Sequence, residues 1–232
     1  MISVVYPIYN FTEDKKHYLI DNWKLYPISL QKEFSWILVD DYSDVPILFN
    51  IDFPINLKIV RITEDKGYNI GGAKNIGIYL ANSEWILQSD IDHILFPESA
   101  KKILNLELKN NHIYSFNRIR LKNDGTLQQR HPHANSFLIQ KDIFWKLGGY
   151  DEDFSGHYGY EDAMLNYLIN KCCVKVNTDI TLYEMELLKT PNINRDTSFN
   201  LNLLREKSNN NYKNDKTLRF TWEITQKYKI ED

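Results

Sequence analysis

The sequence predicts an α/β fold, with a mixed, mainly parallel sheet flanked by helices in a single domain. Three observations point there. Strand-like apolar runs alternate with helix-like segments along the chain. Carboxylates and glycines gather just past the predicted strand ends, at Asp40, Asp41, Gly71, Gly72, Asp90 and Asp92. The chain has 232 residues, 43% of them hydrophobic, which is enough for one large core.

The elements follow in order. Ile2 to Tyr9 is a β-rich run, and Asp14 to about Leu30 reads as a helix with Trp23 and aliphatic residues on one side. FSWILV, Phe34 to Val39, is a second buried strand, and Leu57 to Ile62 a third. Gly71 to Ala81 is a short helix, and Trp85 to Leu87 a fourth strand that runs into Ser89-Asp90-Ile91-Asp92. Pro97 suits the first turn of a helix that extends towards Lys109. His112 to Arg120 and Leu127 to Ile139 read as strands around an Asn123-Asp124-Gly125 turn. Tyr160 to Lys171 is a helix, and Val174 to Tyr183 returns as strand. Beyond about Thr190 the chain is polar with scattered apolar positions. The expected organisation is therefore a domain over 1–190 and a peripheral helical extension over 191–232, which contains the Ser208-Asn209-Asn210-Asn211 patch.

Composition narrows the function. A net charge of -3 gives no electrostatic case for a nucleic-acid partner. MISVVYPIYN shows no signal peptide, and no run approaches the roughly 20 apolar residues of a membrane span. Cys172 and Cys173 are adjacent and cannot staple distant segments, so a cytoplasmic protein is expected. In the tail, Phe220, Trp222 and Tyr228 lie among lysines between Lys216 and Ile230. Packing against the domain is the first reading, and peripheral contact with a membrane-linked acceptor the second.

In open α/β sheets ligands bind beyond the carboxyl ends of the strands, so the clustered carboxylates mark one site. Asp90 and Asp92, at i and i+2 after a buried strand, are hard oxygen donors suited to Mg²⁺ or Mn²⁺. Standing alone they read first as a plain turn, and it is the preceding WILQS strand that shifts the reading towards a metal site. Asp41 can accept a hydrogen bond from the imide N–H of uracil, or close an Asx-turn. Gly71-Gly72-Ala73-Lys74 opens a helix, where small residues admit a ligand and Lys74 meets phosphate; close helix–sheet packing explains the same residues. The stretch Gly148 to Asp162 is rich in glycine and aromatics and runs straight into a helix. It carries Glu161 and Asp162 into the first turn, where ionised carboxylates are favoured. An ionised Asp beside a sugar hydroxyl serves as a general base; acidic helix capping is the simpler alternative.

Taken in order, ISVVYPIYN, ILVDDYSD, YNIGGAKNIG, ILQSDIDHI and GGYDEDFSGHYGYEDAMLNYLI resemble the GT-A (Rossmann-like) glycosyltransferases of family 2, over roughly residues 1–185. The last block is also similar to the "GWGxED" segment of β-1,4-galactosyltransferases and polypeptide N-acetylgalactosaminyltransferases. The resemblance implies an inverting, metal-dependent transferase. It would use a nucleotide-sugar donor, expected to be a UDP-sugar, with a glycan or glycoconjugate hydroxyl as acceptor and Mn²⁺ or Mg²⁺ as cofactor. It implies that Pro7, Tyr9 and Asp41 line the uridine pocket and that Lys74 lies near the diphosphate. Asp90 and Asp92 would form the "DxD" element, with Asp92 the surer metal ligand. Asp162 would be the base, and Glu161, Tyr158 and Gly159 would contact substrate, Tyr158 standing where relatives carry a tryptophan. Many relatives place a metal-binding His on the strand after the "ED" helix. This chain has Thr181-Leu182-Tyr183-Glu184-Met185-Glu186 there, so Glu184, or else His93, is the candidate replacement. His131-x-His133 lies on a loop expected near the acceptor side. A metal-dependent nucleotidyltransferase and a non-catalytic nucleotide-sugar or carbohydrate-binding module are the alternatives. The first lacks its basic glycine-rich phosphate loop in VVYPIYNFTED.

Overall fold

The computed structural model describes residues 1–190, 193–208, 212–215 and 217–231, so Asn209, Asn210, Asn211 and Lys216 lie outside the described residues. The frame is a sheet of ten strands. At its centre β1 (Ile2–Ile8), buried at every position, pairs in parallel with β2 (Phe34–Asp40) and with β4 (Trp85–Gln88). β3 (Leu57–Ile62) adds in parallel to β2. Strands covered on both faces read as near-continuous apolar runs, which is why ISVVYPI and FSWILV do not alternate.

On the other side of β4 the pairings are antiparallel, except for the parallel pair β6–β9. β5 (His93–Ile94), β6 (His112–Leu121), β8 (Phe137–Gln140) and β9 (Val174–Met185) complete the spatial order β3-β2-β1-β4-β8-β6-β9-β5. The short β7 (Leu127–Arg130) pairs with β6. One continuous strand was expected from Leu127 to Ile139, but Pro132 cannot donate to a ladder, and the chain leaves the sheet between β7 and β8. That loop carries His133.

Two apolar clusters cover the faces. One gathers Trp23, Trp36, Phe34 and Tyr26 under α1 (Glu13–Lys24) and α2 (Ile28–Gln31); Pro27 separates these two helices, where a single one was expected. The other lies under α3 (Ile70–Leu80), α5 (Lys141–Lys146) and α6 (Glu161–Cys172). α4 (Pro97–Leu104) begins at its proline as expected but stops short of Lys109. α3 lies so close to the sheet that a Cβ on Gly77 would stand 2.4 Å from Val5 Cγ1.

The segment beyond residue 190 departs from expectation. It contains a helix, α7 (Ser198–Ser208), but its last element is a strand, β10 (Trp222–Tyr228), antiparallel to β3 at the sheet edge. The run WEITQKY alternates Trp222, Ile224, Gln226 and Tyr228 with more polar residues, a period of two that suits an edge strand. Just before it Phe220 is buried in the second cluster, so near Gly72 that a Cβ there would meet the Phe220 ring at 2.7 Å. The tail is thus part of the domain core. Among the described residues no helix is long and apolar enough to cross a membrane.

Candidate donor and metal site

A cleft of about 640 Å³ opens where β1, β2 and β4 deliver their carboxyl ends. Its walls fall into three groups.

Pro7, Ile8 and Tyr9 at the end of β1 face Asp41 at the end of β2. Asp41 is buried, and its Oδ2 accepts the backbone N–H of Asn69 at 2.9 Å. Burial pushes its carboxyl up to about 7, against the pull of that N–H; the charges of Asp40 and Asp65 add to the rise. Asp40 does a different job. It accepts from Arg61 at 2.6 Å and from the Ser43 N–H at 2.9 Å, and so builds the turn that holds Asp41 in place.

The second group follows β4. The chain turns at once, with the His93 N–H bonded to the Asp90 carbonyl at 3.0 Å, and a turn of this kind brings residues i and i+3 together. The β7–β8 loop delivers His133 to the same place. Ligand atoms of Asp90, His93 and His133 all lie within 4.8 Å of one another, and the two imidazoles are 4.5 Å apart between centroids. His93 is buried, yet neither ring nitrogen has a hydrogen-bond partner among the described residues. Its Nδ1 is 3.0 Å from Asp92 Oδ1, but off the line of a hydrogen bond. Orphaned buried imidazole nitrogens beside a carboxylate are the donor set of a divalent transition-metal site. Burial lowers the His133 pKa, favouring the neutral imidazole that a metal ligand must be. Burial works against charge on Asp90, but Lys74 and the two histidines hold it below the usual carboxylate range.

The outcome differs from sequence expectation at four residues. His133 joins the compact donor set, although the sequence offered only a loop histidine, because strand pairing rather than spacing brings the loop to Asp90. Asp92 lines the cleft beside the His93 ring but does not complete that set. Glu184 lies outside that compact set: Arg120 at 2.7 Å and Lys189 at 2.8 Å grip Oε1, while its buried Oε2 has no hydrogen-bond partner among the described residues. Burial works to raise its pKa, but those hydrogen bonds and charges hold it down at about 2. Lys74 is fully buried, and its Nζ donates to Asp90 at 2.6 Å; it neutralises a site carboxylate rather than lining the cleft. Gly71 and Gly72 serve close packing, against Tyr150, Glu161 and Phe220.

The third group comes from the glycine-rich loop and the segment after β9. Tyr158 packs on Tyr68 at 4.9 Å between centroids with the rings tilted by 54°, and the Arg195 guanidinium lies 5.7 Å from the Tyr158 ring. Gly159 and Tyr160 are both left-handed, at φ 84° and 68°. For tyrosine this costs on the order of 1–3 kcal/mol, a strain that recurs at functional sites. It aims the first turn of α6. Glu161 there is buried with Oε2 unpartnered, and burial together with the neighbouring Asp162 pushes its carboxyl up. Asp162 Oδ1 accepts the Ala163 N–H at 2.7 Å. Neither carboxylate lines the cleft. Tyr68 does, and its hydroxyl, raised chiefly by burial, also feels the charges of Glu161, Asp90 and Asp162. Tyr68 is thus a site residue that sequence motifs did not single out.

Comparison with known proteins decides the family. Residues 3–164 match the profile of Glycosyl transferase family 2. The chain belongs to that family. A curated relative from Haemophilus influenzae, described as an uncharacterized glycosyltransferase, is 23% identical over 200 residues; the match covers 74% of this chain and 66% of the relative. Among solved structures, Staphylococcus aureus TarS in complex with UDP-GlcNAc superposes with a TM-score of 0.61 at 14% identity, over 83% of this chain and 60% of that one. GalNAc-T7 with UDP, GalNAc and Mn²⁺ gives 0.60 at 15%, over 80% and 44%. The mannosyltransferase PcManGT from Pyrobaculum calidifontis, with GDP-Man and Mn²⁺, gives 0.54 at 15%, over 89% and 61%. Family 2 membership and these superpositions agree on the GT-A fold, and the chain spans about two thirds or less of the length of the relatives it matches.

Proposed function

We propose that this family 2 chain transfers a sugar from a nucleotide-sugar, a UDP-sugar in the first instance, to an acceptor hydroxyl with inversion. The observation that carries this reading is the meeting, in one cleft, of the Pro7–Tyr9–Asp41 wall with the compact Asp90–His93–His133 set, in which both His93 nitrogens lack a hydrogen-bond partner. The base would lie against Pro7 and Tyr9, with the Asp41 carboxylate accepting the imide N–H. A nucleotidyltransferase or a module without turnover needs no carboxylate pair at the head of α6.

Asp90, His93 and His133 would hold Mn²⁺ or Mg²⁺, with Asp92 beside them. When bound, the ion supplies positive charge to the diphosphate leaving group. Lys74 keeps Asp90 ionised for that purpose. Asp162 takes the proton from the acceptor hydroxyl as its oxygen bonds to the anomeric carbon. The bond from that carbon to the diphosphate breaks on the opposite face, its electron pair leaving with the phosphate oxygen. Glu161 sits behind Asp162, and Tyr158 and Gly159 bound the sugar side, in keeping with the likeness of this loop to the "GWGxED" segment.

The test is thermal unfolding of the full chain with a panel of nucleotide-sugars, with and without Mn²⁺. A ligand at 100 times its Kd stabilises the native state by about 2.7 kcal/mol. A Mn²⁺-dependent shift with UDP-sugars, with turnover reduced about 10²–10⁴-fold in Asp162→Asn at unchanged donor binding, is expected. No shift with any nucleotide would refute the reading.

A further inference from the structure

Beside the metal donor set lies a cation that the proposed chemistry does not use. Arg118, on β6, lines the cleft, and its side chain is only 14% exposed. Its side chain makes no hydrogen bond with any described residue: its Nε is buried and orphaned, and the guanidinium only pairs at 3.7 Å with Glu184 Oε2, an oxygen that likewise has no hydrogen bond. That carboxylate is already taken through its other oxygen by Arg120 and Lys189. The charges around Arg118 are mixed: Asp92 and Glu184 favour its cation, whereas Arg130, opposite it in the β6–β7 register, and Arg120 oppose it. A guanidinium this buried with no hydrogen-bonded partner is costly unless a ligand completes it, and its planar fork suits phosphate or carboxylate.

The position argues against the nucleotide's own diphosphate as that ligand. The nucleoside wall is on β1, and Asp90 ends β4, the next strand, so a diphosphate between them is already spanned. β6, the strand that carries Arg118, lies two strands further on, about 10 Å beyond β4 at the usual strand spacing, and from there the guanidinium reaches the side of the cleft where Asp92 and His133 feel its charge. We infer that Arg118, flanked by Arg120 and Lys189, is a subsite for an anionic group, phosphate or carboxylate, carried by the sugar-donating or sugar-accepting substrate on the transfer side of the site. This rests on the glycosyltransferase reading for its second substrate, not for the anion itself.

The experiment compares the wild-type chain with Arg118→Gln and Arg118→Lys by calorimetry, each first shown by thermal unfolding to be folded. UDP with Mg²⁺ is expected to bind all three within about twofold. On the UDP-saturated protein, glucose 6-phosphate is expected to bind the wild type at least tenfold more tightly than glucose. The preference is lost in Arg118→Gln and partly kept in Arg118→Lys, which retains charge but not the fork. UDP-glucuronic acid against UDP-glucose is the second arm. An Arg118-dependent preference there puts the anion on the donor sugar, and a preference only in the first arm puts it on the acceptor. The inference is overturned if Arg118→Gln weakens UDP itself to the same degree, or if neither anionic probe is preferred to its neutral counterpart. Failure of UDP to bind any variant would sink the proposed function instead; glucose 6-phosphate against glucose on the unliganded chain then decides the subsite alone.

Discussion

Asp41 offers the sharpest test of donor recognition, because burial raises its pKa from 3.8 to about 7. Between these two values the folded chain holds a proton that the unfolded chain has lost. Stability therefore falls as pH rises through that window, and the full cost, on the order of 4 kcal/mol, stands above about pH 7. On the proposed reading an ionised Asp41 accepts the uracil imide N–H, so the nucleoside would bind the form that folding disfavours. With a pKa of about 7, the ionised fraction is roughly one tenth at pH 6 and nine tenths at pH 8. The apparent Kd of uridine is then about tenfold weaker at pH 6 than at pH 8. Uridine is the right probe because it carries no titrating phosphate and needs no metal. Asp41→Asn keeps an oxygen for the Asn69 N–H, removes the titration and flattens the profile, and the variant should be more stable than the wild type at pH 8. A flat uridine profile in the wild type, or the same slope in Asp41→Asn, would refute the assignment of Asp41 to the base.

Three further predictions follow from the contacts. His133→Ala should weaken Mn²⁺ binding at least about tenfold, read as free Mn²⁺ by electron paramagnetic resonance; unchanged affinity would remove His133 from the donor set. Lys74→Met should cost about 2–4 kcal/mol, less than a wholly enclosed pair because Asp90 is 20% exposed, and saturating Mn²⁺ should restore more stability to the variant than it adds to the wild type. If Lys74 instead served phosphate, the variant would unfold like the wild type and bind UDP poorly. Phe220→Ala should cost about 3–5 kcal/mol and lower Tm by roughly 6–20 °C, because the ring is buried against α3; a loss below about 1 kcal/mol would mean that the tail is an appendage after all.

Much of the frame was legible because it rests on local pattern. The buried parallel strands are unbroken apolar runs, and α4 starts at its proline. What was not legible depends on partners distant in sequence. WEITQKY carries a period-two signal, but only pairing with β3 makes it a strand, and its setting in a polar tail suggested helix. Lys74 next to two glycines invited a phosphate role, yet the sheet geometry buries its ammonium against Asp90, sixteen residues on. His133 stands 43 residues after Asp90, at no metal-ligand spacing, and only the β7–β8 excursion brings the two together. Tyr68 heads the YNIGGAKNIG block but was given no role there; its place at the site follows from packing against Tyr158.

The charges in the cleft sort themselves by whether the fold has already satisfied them. Asp40 is closed by Arg61 and a backbone N–H, and one oxygen of Glu184 by Arg120 and Lys189, so each fixes local geometry. Lys74 is likewise saturated by Asp90, whose second oxygen remains towards His133 at 3.6 Å. Left without hydrogen bonds in and beside the cleft are the His93 nitrogens, the second oxygens of Glu161 and Glu184, and the Nε atoms of Arg118 and Arg120. A chain held together by satisfied polar groups does not leave these buried and bare without something to complete them. On the proposed reading they would divide the work of a transfer reaction: the histidine nitrogens for the cation, the carboxylates at the head of α6 for the proton, and the guanidinium for an anion on the substrate. Aspartate or glutamate at the satisfied positions should therefore tolerate replacement by its amide only at the cost of stability, whereas replacement at the bare ones should cost binding or rate and leave the fold intact.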